Sequence, residues 1–431
     1  MTAPVTTDAS RVLGFWTCWS LTVGIMIGSG IFLLPSVLAP YGLLSFGGWT
    51  LTALGSIALC LVLGRLAART TRSGGVYVYA HDAFGDLAGF LIAWGYWGAY
   101  WIAMPAMAIA FVGYLGVFLP QLDAAPVLQA AVALALIWVL TLINFGGVRE
   151  AGFVQLAMTL LKLVPLLIII GYGALGGDSA NLPAANPAEL PLLDALAATA
   201  LLTMWAFAGL EAGTIPAGEV KNPRRTVPLA IVSGTLTVAF VYIASTLAVM
   251  VLVSADDLAG SSSPFADAAA GLGPWGPGLI AVGAMISTAG ALNGTILVAG
   301  QLPMAVALDG LAPSWLARSN RRGAPSLALL LSGVLATALL LANYVRSLIE
   351  MFTFLIMMST AAILVPLLVS ALAELRHSRR SARGWAGLAG LAALYSTFTI
   401  LGSGLEVIVW GAVLFLLGLP VYYLGRRRQR D

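Results

Sequence analysis

Charge is what this chain has least of: Asp, Glu, Lys and Arg make up 9% of its 431 residues, where a soluble domain carries about a quarter. So few ionic groups cannot clothe a water-facing surface. That excludes an ordinary soluble globule and makes lipid the main solvent. Cysteine and histidine are almost missing, at two each. Cys18 and Cys60 both fall inside apolar stretches, so they are expected to pack rather than to form a disulfide or bind a metal. His81, in the short stretch after the second apolar run, and His377, in a basic loop, do not have the look of ligands. The chain has no Walker loop, no HExxH and no nucleophile elbow. Neither ATP hydrolysis nor a membrane-enzyme site is therefore expected, and no cofactor.

What is abundant is hydrocarbon. Hydrophobic residues reach 60% and mean hydropathy is +0.96, in runs long enough for the roughly 20 residues that a spanning helix needs. Polar breaks separate twelve of them: 12–39, 43–68, 86–119, 126–146, 151–176, 192–216, 227–255, 275–307, 325–343, 346–373, 384–402 and 405–425. The runs are continuous rather than alternating, which excludes a closed barrel. The first is too long for the core of a cleavable leader and is expected to remain as the first span.

Basic residues then orient the spans. Arg65, Arg69 and Arg72 follow the second; Arg149 the fourth; Lys221, Arg224 and Arg225 the sixth. Arg318, Arg321 and Arg322 follow the eighth, and Arg376, Arg379, Arg380 and Arg383 the tenth. The tail adds Arg426, Arg427, Arg428 and Arg430, a topology signal and lipid-headgroup contact rather than a nucleic-acid patch. The intervening connections hold acids such as Asp178, Glu189, Asp256 and Asp257, with Arg346 as the exception. Positive charge stays inside, so both termini are expected in the cytoplasm. Trp49, Trp275, Trp315 and Trp385 fall near span ends, as interfacial anchors do.

Two spans are built to break. The first holds Gly24, Gly28, Ser29 and Gly30 and then Pro35; the sixth holds Gly209 and Gly213 and then Pro216. Each glycine costs about 1 kcal/mol against alanine in a helix interior, and each proline removes a donor. Weak stretches five helices apart point to an inverted repeat whose paired discontinuous helices form a midplane site. Freed N–H groups of Ser29 and Gly30 would suit a carboxylate. Carbonyls near Trp205, Ala206 and Ala208 would suit an ammonium, and Ile25, Ile27 and Gly28 complete the candidate set. The alternative is that Gly28, Ser29 and Gly30 are a patch for close helix packing. A channel is disfavoured, because the intramembrane charges are too few and too local to ring a pore.

Four stretches carry a family resemblance: GSGIFLLP at 28–35, SGGVYVYAHDAFG at 73–85, WAFAGLEAGTIPAGEVKNPRRTVPLAI at 205–231 and AGQLPMAVALDGLAP at 299–313. They resemble the amino acid–polyamine–organocation superfamily, and within it the bacterial arginine/agmatine antiporters. The resemblance implies an all-α, five-plus-five inverted repeat with broken first and sixth helices. The repeats would be 12–176 and 192–373, with accessory helices at 384–425, an N-terminal tail at 1–11 and a basic tail at 426–431. It also implies sodium-independent, alternating-access transport of a small amino acid or amine, coupled to protons or driven by exchange, with membrane lipid around it and a homodimer as a candidate assembly. The antiporter group's third-helix asparagine aligns with Met104. Its eighth-helix stacking tryptophan aligns with Thr295, near Asn293, while its sixth-helix tryptophan is kept as Trp205. A guanidinium would be poorly satisfied there, which leans the expectation to neutral amino acids, with cationic amino acid or polyamine exchange as the alternative.

Two ionisable groups fall within the expected spans, Lys162 in the fifth and Glu211 in the sixth. A charge at midplane is expensive, so each is a functional candidate and a candidate proton carrier. Lys162 resembles the lysine of sodium-independent family members, whose ammonium replaces a sodium ion between the first, fifth and eighth helices, with Ser287 and Thr288 close by. The alternative is a structural ammonium tying carbonyls of the broken first helix. Glu211 resembles the acid linked to pH response in the antiporters; its alternative is a protonated brace.

Overall fold

A computed structural model describes residues 14–69, 75–122, 125–146, 152–210, 223–344, 346–379 and 382–427. In chain order the helices are α1 (Phe15–Met26), α2 (Gly30–Leu38), α3 (Ser45–Ala67), α4 (Val76–Phe84), α5 (Asp86–Leu115), α6 (Pro126–Asn144), α7 (Gly152–Gly176) and α8 (Leu192–Ala206). There follow α9 (Pro223–Leu252), α10 (Ala255–Gly260), α11 (Pro264–Ala268), α12 (Gly276–Leu308), α13 (Ser326–Asn343), α14 (Leu348–Ser378), α15 (Arg383–Leu401) and α16 (Gly404–Arg427). Among the described residues there is no strand.

Each stretch expected to span holds a helix, and the first holds two, α1 and α2, with a break between them. Nine helical segments among the described residues are long and apolar enough to cross a membrane. Two more stretches are apolar, Lys162–Gly176, which is the part of α7 whose side chains are described, and Leu192–Ala206. The second of these is short because the helix stops at Ala206, inside the run that the sequence marked as breakable. This is an integral membrane protein.

Packing sorts the helices into two neighbourhoods. In one, α3 lies against α8 and α9, and α1 against α9 and α7; in the other, α5 lies against α12, α13 and α6. α14 spans both, touching α5 of one group and α3 and α8 of the other, and α15 packs on α14, α3 and α8. Hydroxyls fasten the first group. Thr52 donates to the Ala200 carbonyl at 3.0 Å and sits 2.8 Å from the Thr203 hydroxyl, while Tyr395 of α15 donates to Thr52. In a medium without water such bonds satisfy groups that nothing else would reach.

One end of the bundle is closed by backbone pairing. The turn between α2 and α3 bonds the 184–188 segment through Leu43 N–H to Ala184 O (3.2 Å), Leu44 N–H to Ala185 O (2.9 Å) and Ala188 N–H to Pro40 O (3.2 Å). Gly42 sits at φ +55°, and a Cβ there would lie 1.9 Å from the Ala184 oxygen. Only glycine fits.

At the arginine-bearing end of α3 the structure departs from expectation. The tenth span was bounded at 373, but α14 continues to Ser378 and buries Glu374 completely. Arg65 Nε pairs with Glu374 Oε1 at 2.9 Å and Arg69 Nη1 with Oε2 at 2.7 Å, while Ser378 donates its hydroxyl to the same carboxylate. Arg65 also lies over the Trp385 ring, 4.3 Å from its centre. Two cations make the burial of one anion tolerable, so the helix need not end before the charge. Trp49 is a second correction. It is fully buried, not interfacial, and its ring meets Phe207 and Tyr242 at 6.1 and 5.4 Å. Trp275, 60% exposed, keeps the position expected of an anchor.

Removing Glu374 strands two arginines in a poorly hydrated place. Glu374→Ala is expected to cost about 2 kcal/mol, below the usual range for a broken buried pair because both arginines are partly exposed. An earlier thermal transition of the detergent-purified protein checks this; an unshifted one would show that the pair contributes nothing.

Candidate functional site

The site is assembled where two helices stop short. α1 ends at Met26; Ile27 leaves helical geometry at φ −76°, ψ 99°, its N–H bonding Val23 O at 2.9 Å. Bends run through Gly28 and Ser29, and α2 starts at Gly30. A helix end strands its last carbonyls and the next start strands its first N–H groups. Two carbonyls of α1 are met by side chains from elsewhere. Lys162 of α7 donates its ammonium to Gly24 O at 3.4 Å, and Tyr242 of α9 donates its hydroxyl to Met26 O at 2.7 Å. The N–H groups at the start of α2 form the complementary end, with the positive pole of the dipole behind them. Ser29 is buried there, and its hydroxyl has no hydrogen-bond partner among the described residues.

The second break follows Ala206. Phe207 sits at φ −94°, ψ 1°, and its N–H bonds Met204 O at 3.0 Å; Ala208 N–H bonds Trp205 O at 3.2 Å. Gly209 then turns the chain at φ +94°, a conformation closed to side chains with a Cβ. Of the carbonyls expected to receive an ammonium, that of Trp205 already accepts from Ala208, and that of Ala206 lies 3.2 Å from the Tyr242 hydroxyl. Both keep a second lone pair. Glu211, with Gly213 and Pro216, lies outside the described residues.

The two breaks touch. A Cβ on Gly30 would lie 2.9 Å from Trp205 Cδ1, 3.1 Å from its Nε1 and 3.2 Å from Ala206 Cα. The Trp205 indole is buried and its N–H has no partner among the described residues. One on Gly28 would meet Ala291 Cβ of α12 at 3.0 Å. Distant parts of the sequence, at Gly30 and Trp205, are thus brought into contact, with two polar groups that lack a partner among the described residues, Ser29 Oγ and Trp205 Nε1, beside the junction. Such groups are rare in dry protein and point to a polar guest.

Around this junction the remaining candidates divide. Met104 is fully buried in α5. Thr295 of α12 faces the same helix, its hydroxyl 3.4 Å from Met107 Sδ. Asn293 faces elsewhere, accepting from Asn144 of α6 at 2.8 Å. Ser287 and Thr288 are buried with partnerless hydroxyls. They lie along α12 between Gly283, packed on Pro165 of α7, and Ala291, packed on Gly28. That puts them on the stretch of α12 shared by α7 and the first break. For Ile25 only the backbone, within α1, is described. Of the third-helix aromatics, Trp94 bonds Leu414 O and Trp97 bonds Ser332, both packing roles. Two residues escaped the sequence reading. Tyr242 carries no motif, though a tyrosine deep in an apolar run does require a partner for its hydroxyl. Glu374 was hidden by the basic cluster that follows it.

Known proteins resemble the chain over nearly all of its length. The amino acid permease family model matches residues 13–424. A cadaverine/lysine antiporter of Escherichia coli (strain K12) is 33% identical, over 78% of this chain and 75% of the relative. A putative arginine/ornithine antiporter of Bacillus subtilis (strain 168) is 31% identical over 98% and 99% of the two chains. A putrescine transporter of Escherichia coli (strain K12) is 30% identical over 96% of each.

The contact at Gly30 is directly testable. Gly30→Ala drives a methyl into the Trp205 ring and the Ala206 backbone, an overpacking of 1–3 kcal/mol, and is expected to slow uptake into vesicles by about tenfold or more. Uptake at the parental rate would show that the two breaks do not form a shared site.

Proposed function

The chain belongs to the amino acid permease family, within the amino acid–polyamine–organocation superfamily, and from that membership we propose that it is a sodium-independent exchanger of cationic amino acids and the corresponding diamines. The observation that carries the reading is the junction at Gly30, Trp205 and Ala206. The start of one half-helix meets the end of another there, a place where N–H groups and carbonyls are left without intrahelical partners, and an α-amino acid bears one group for each. The lean to neutral amino acids gives way here to its alternative. The relatives are named for lysine, cadaverine, arginine, ornithine and putrescine, and a physical argument favours the alkylammonium members of that set. A guanidinium is a rigid plane of five donors that wants a stacking ring and a polar partner. Met104 and Thr295 supply neither. An alkylammonium brings a flexible methylene stem, which a methionine accommodates, and needs one anionic partner at its tip. Glu211, next in the chain after Leu210, is the residue we assign to it.

Several parts of the mechanism follow from the same reading. Twelve spans in an inverted repeat, with α15 and α16 as accessories, would rock the group holding α1, α3, α8 and α9 against the group holding α5, α6, α12 and α13. Both termini would face the cytoplasm of a bacterial inner membrane. Lys162 on the Gly24 carbonyl supports the view that a fixed ammonium does what a sodium ion does in ion-coupled transporters of this architecture. Exchange of a monocationic amino acid for a dicationic amine moves charge and needs no ATP.

Proteoliposomes loaded with unlabelled cadaverine or putrescine are expected to take up labelled lysine or ornithine, while empty vesicles do not. Uptake of leucine that excess lysine leaves untouched would overturn the substrate assignment. Glu211→Gln is expected to weaken exchange of the cationic substrate and to flatten its pH profile between mildly acidic and neutral buffer. A profile with the parental shape would remove Glu211 from the coupling.

A further inference from the structure

The last turns of α14 carry opposite charges on opposite faces. Ala371, Glu374 and Ser378 are buried, and the Glu374 carboxylate is held inward by Arg65 and Arg69. Leu372, Leu375, Arg376 and Arg379 stand at i, i+3, i+4 and i+7, the spacing of a single helix face. That face is the outer one: Leu372 is 39% exposed, and Arg376 and Arg379 are exposed. Among the described residues no carboxylate pairs with either arginine. The nearby acids at the end of α4 and the start of α5, Asp82 and Asp86, face His81 at 3.1 and 3.2 Å.

A groove of about 680 Å³ opens along this face, where α14 meets the end of α4. Phe84, Leu372 and Leu375 line it with hydrocarbon, and Arg376, His377 and Arg379 line it with nitrogen. Arg376 is turned onto the other helix. It donates one N–H to the Ala83 carbonyl at 3.1 Å, and its guanidinium stands 5.8 Å from the Phe84 ring centre. That bond fixes the cation between two helices and leaves it donors to spare. A basic last turn offsets a helix's own dipole, but that role needs neither the groove nor a second helix. Leu372 and Arg379 are about 10 Å apart along the axis, enough to pass from hydrocarbon into the headgroup layer. Methylenes followed by a phosphate are the complement of such a surface, and basic pockets between spans hold anionic headgroups. We propose that this groove binds an anionic phospholipid from the leaflet at the arginine-bearing end of the bundle. Arg376 and Arg379 take its phosphate; Phe84, Leu372 and Leu375 take the first part of its acyl chains. A zwitterionic lipid brings its own cation, and free phosphate leaves the apolar part uncovered. The lipid braces α14 from outside, as the Glu374 pairing does from inside, and ties it to α4. None of the lining residues belongs to either helix break, so lipid binding does not depend on which solute is carried.

Native mass spectrometry of the full-length protein in detergent tests this, with phosphatidylglycerol and phosphatidylcholine of matched chains as probes. The first phosphatidylglycerol is expected to bind about tenfold more tightly than phosphatidylcholine. Arg376→Gln combined with Arg379→Gln is expected to weaken it about thirtyfold, roughly fivefold for each arginine. Arg321→Gln combined with Arg322→Gln removes the same charge from the exposed turn after α12 and is expected to leave that first binding step unchanged. Arg379→Gln alone guards against a folding defect, because among the described residues only the Arg379 backbone is bonded, its N–H to Leu375 O at 3.1 Å. It is expected to keep the parental thermal transition and lose about fivefold in affinity. Equal binding of the two lipids, equal losses in the two double variants, parental affinity in Arg379→Gln, or displacement of the lipid by millimolar inorganic phosphate would each overturn the proposal.

Discussion

A helix that stops inside hydrocarbon leaves peptide groups that water cannot reach, and each must find a partner within the protein. That constraint governs this molecule. At the end of α1 the Gly24 carbonyl takes the Lys162 ammonium and the Met26 carbonyl takes the Tyr242 hydroxyl. At the end of α8 the turn bonds through Ala208 and Phe207 satisfy two carbonyls, and Tyr242 approaches a third. The N–H groups opening α2 and the partnerless Ser29 and Trp205 groups are what remains. A site of this kind is defined by what the capping leaves over.

The same logic explains which contacts are rigid. Hydroxyl ties between α3 and α8 hold the second break against its neighbour helix, through Thr52, Ala200 and Thr203. The backbone pairing of residues 40–44 with 184–188 fastens one end of that group, and the Glu374 carboxylate, shared by Arg65 and Arg69, fastens the other to α14. Between those fixed ends the junction of Gly30 with Trp205 depends on the absence of a side chain. Close approach of backbones is how small residues join helices in lipid, and here it also brings a carbonyl end and an N–H end together. Close packing at Gly28, Ser29 and Gly30 is compatible with the binding role proposed for them, so the two readings open there are not exclusive.

Helix boundaries were legible because a bilayer allows little else. The expected run at 126–146 became a helix at Pro126–Asn144, and that at 325–343 became Ser326–Asn343. The boundary at 373 fell just before Glu374, which is buried by pairing with Arg65 and with Arg69, 305 residues earlier in the chain. Trp49 was misplaced for a similar reason. A tryptophan near a span end suits the interface, but Phe207 and Tyr242, neither of them near in sequence, enclose it.

Composition and glycine placement by themselves determined that the chain lives in lipid, where its helices lie and which two must break, because hydrocarbon length and backbone cost are local properties of the residues. Tertiary structure alone decided that the breaks meet at Gly30 and Trp205, that Thr295 faces α5 while Asn293 faces α6, and that Tyr242 serves both broken ends. Those outcomes depend on which distant helix arrives to satisfy a stranded group. A stranded carbonyl specifies the chemistry of its partner but not the partner's address in the chain.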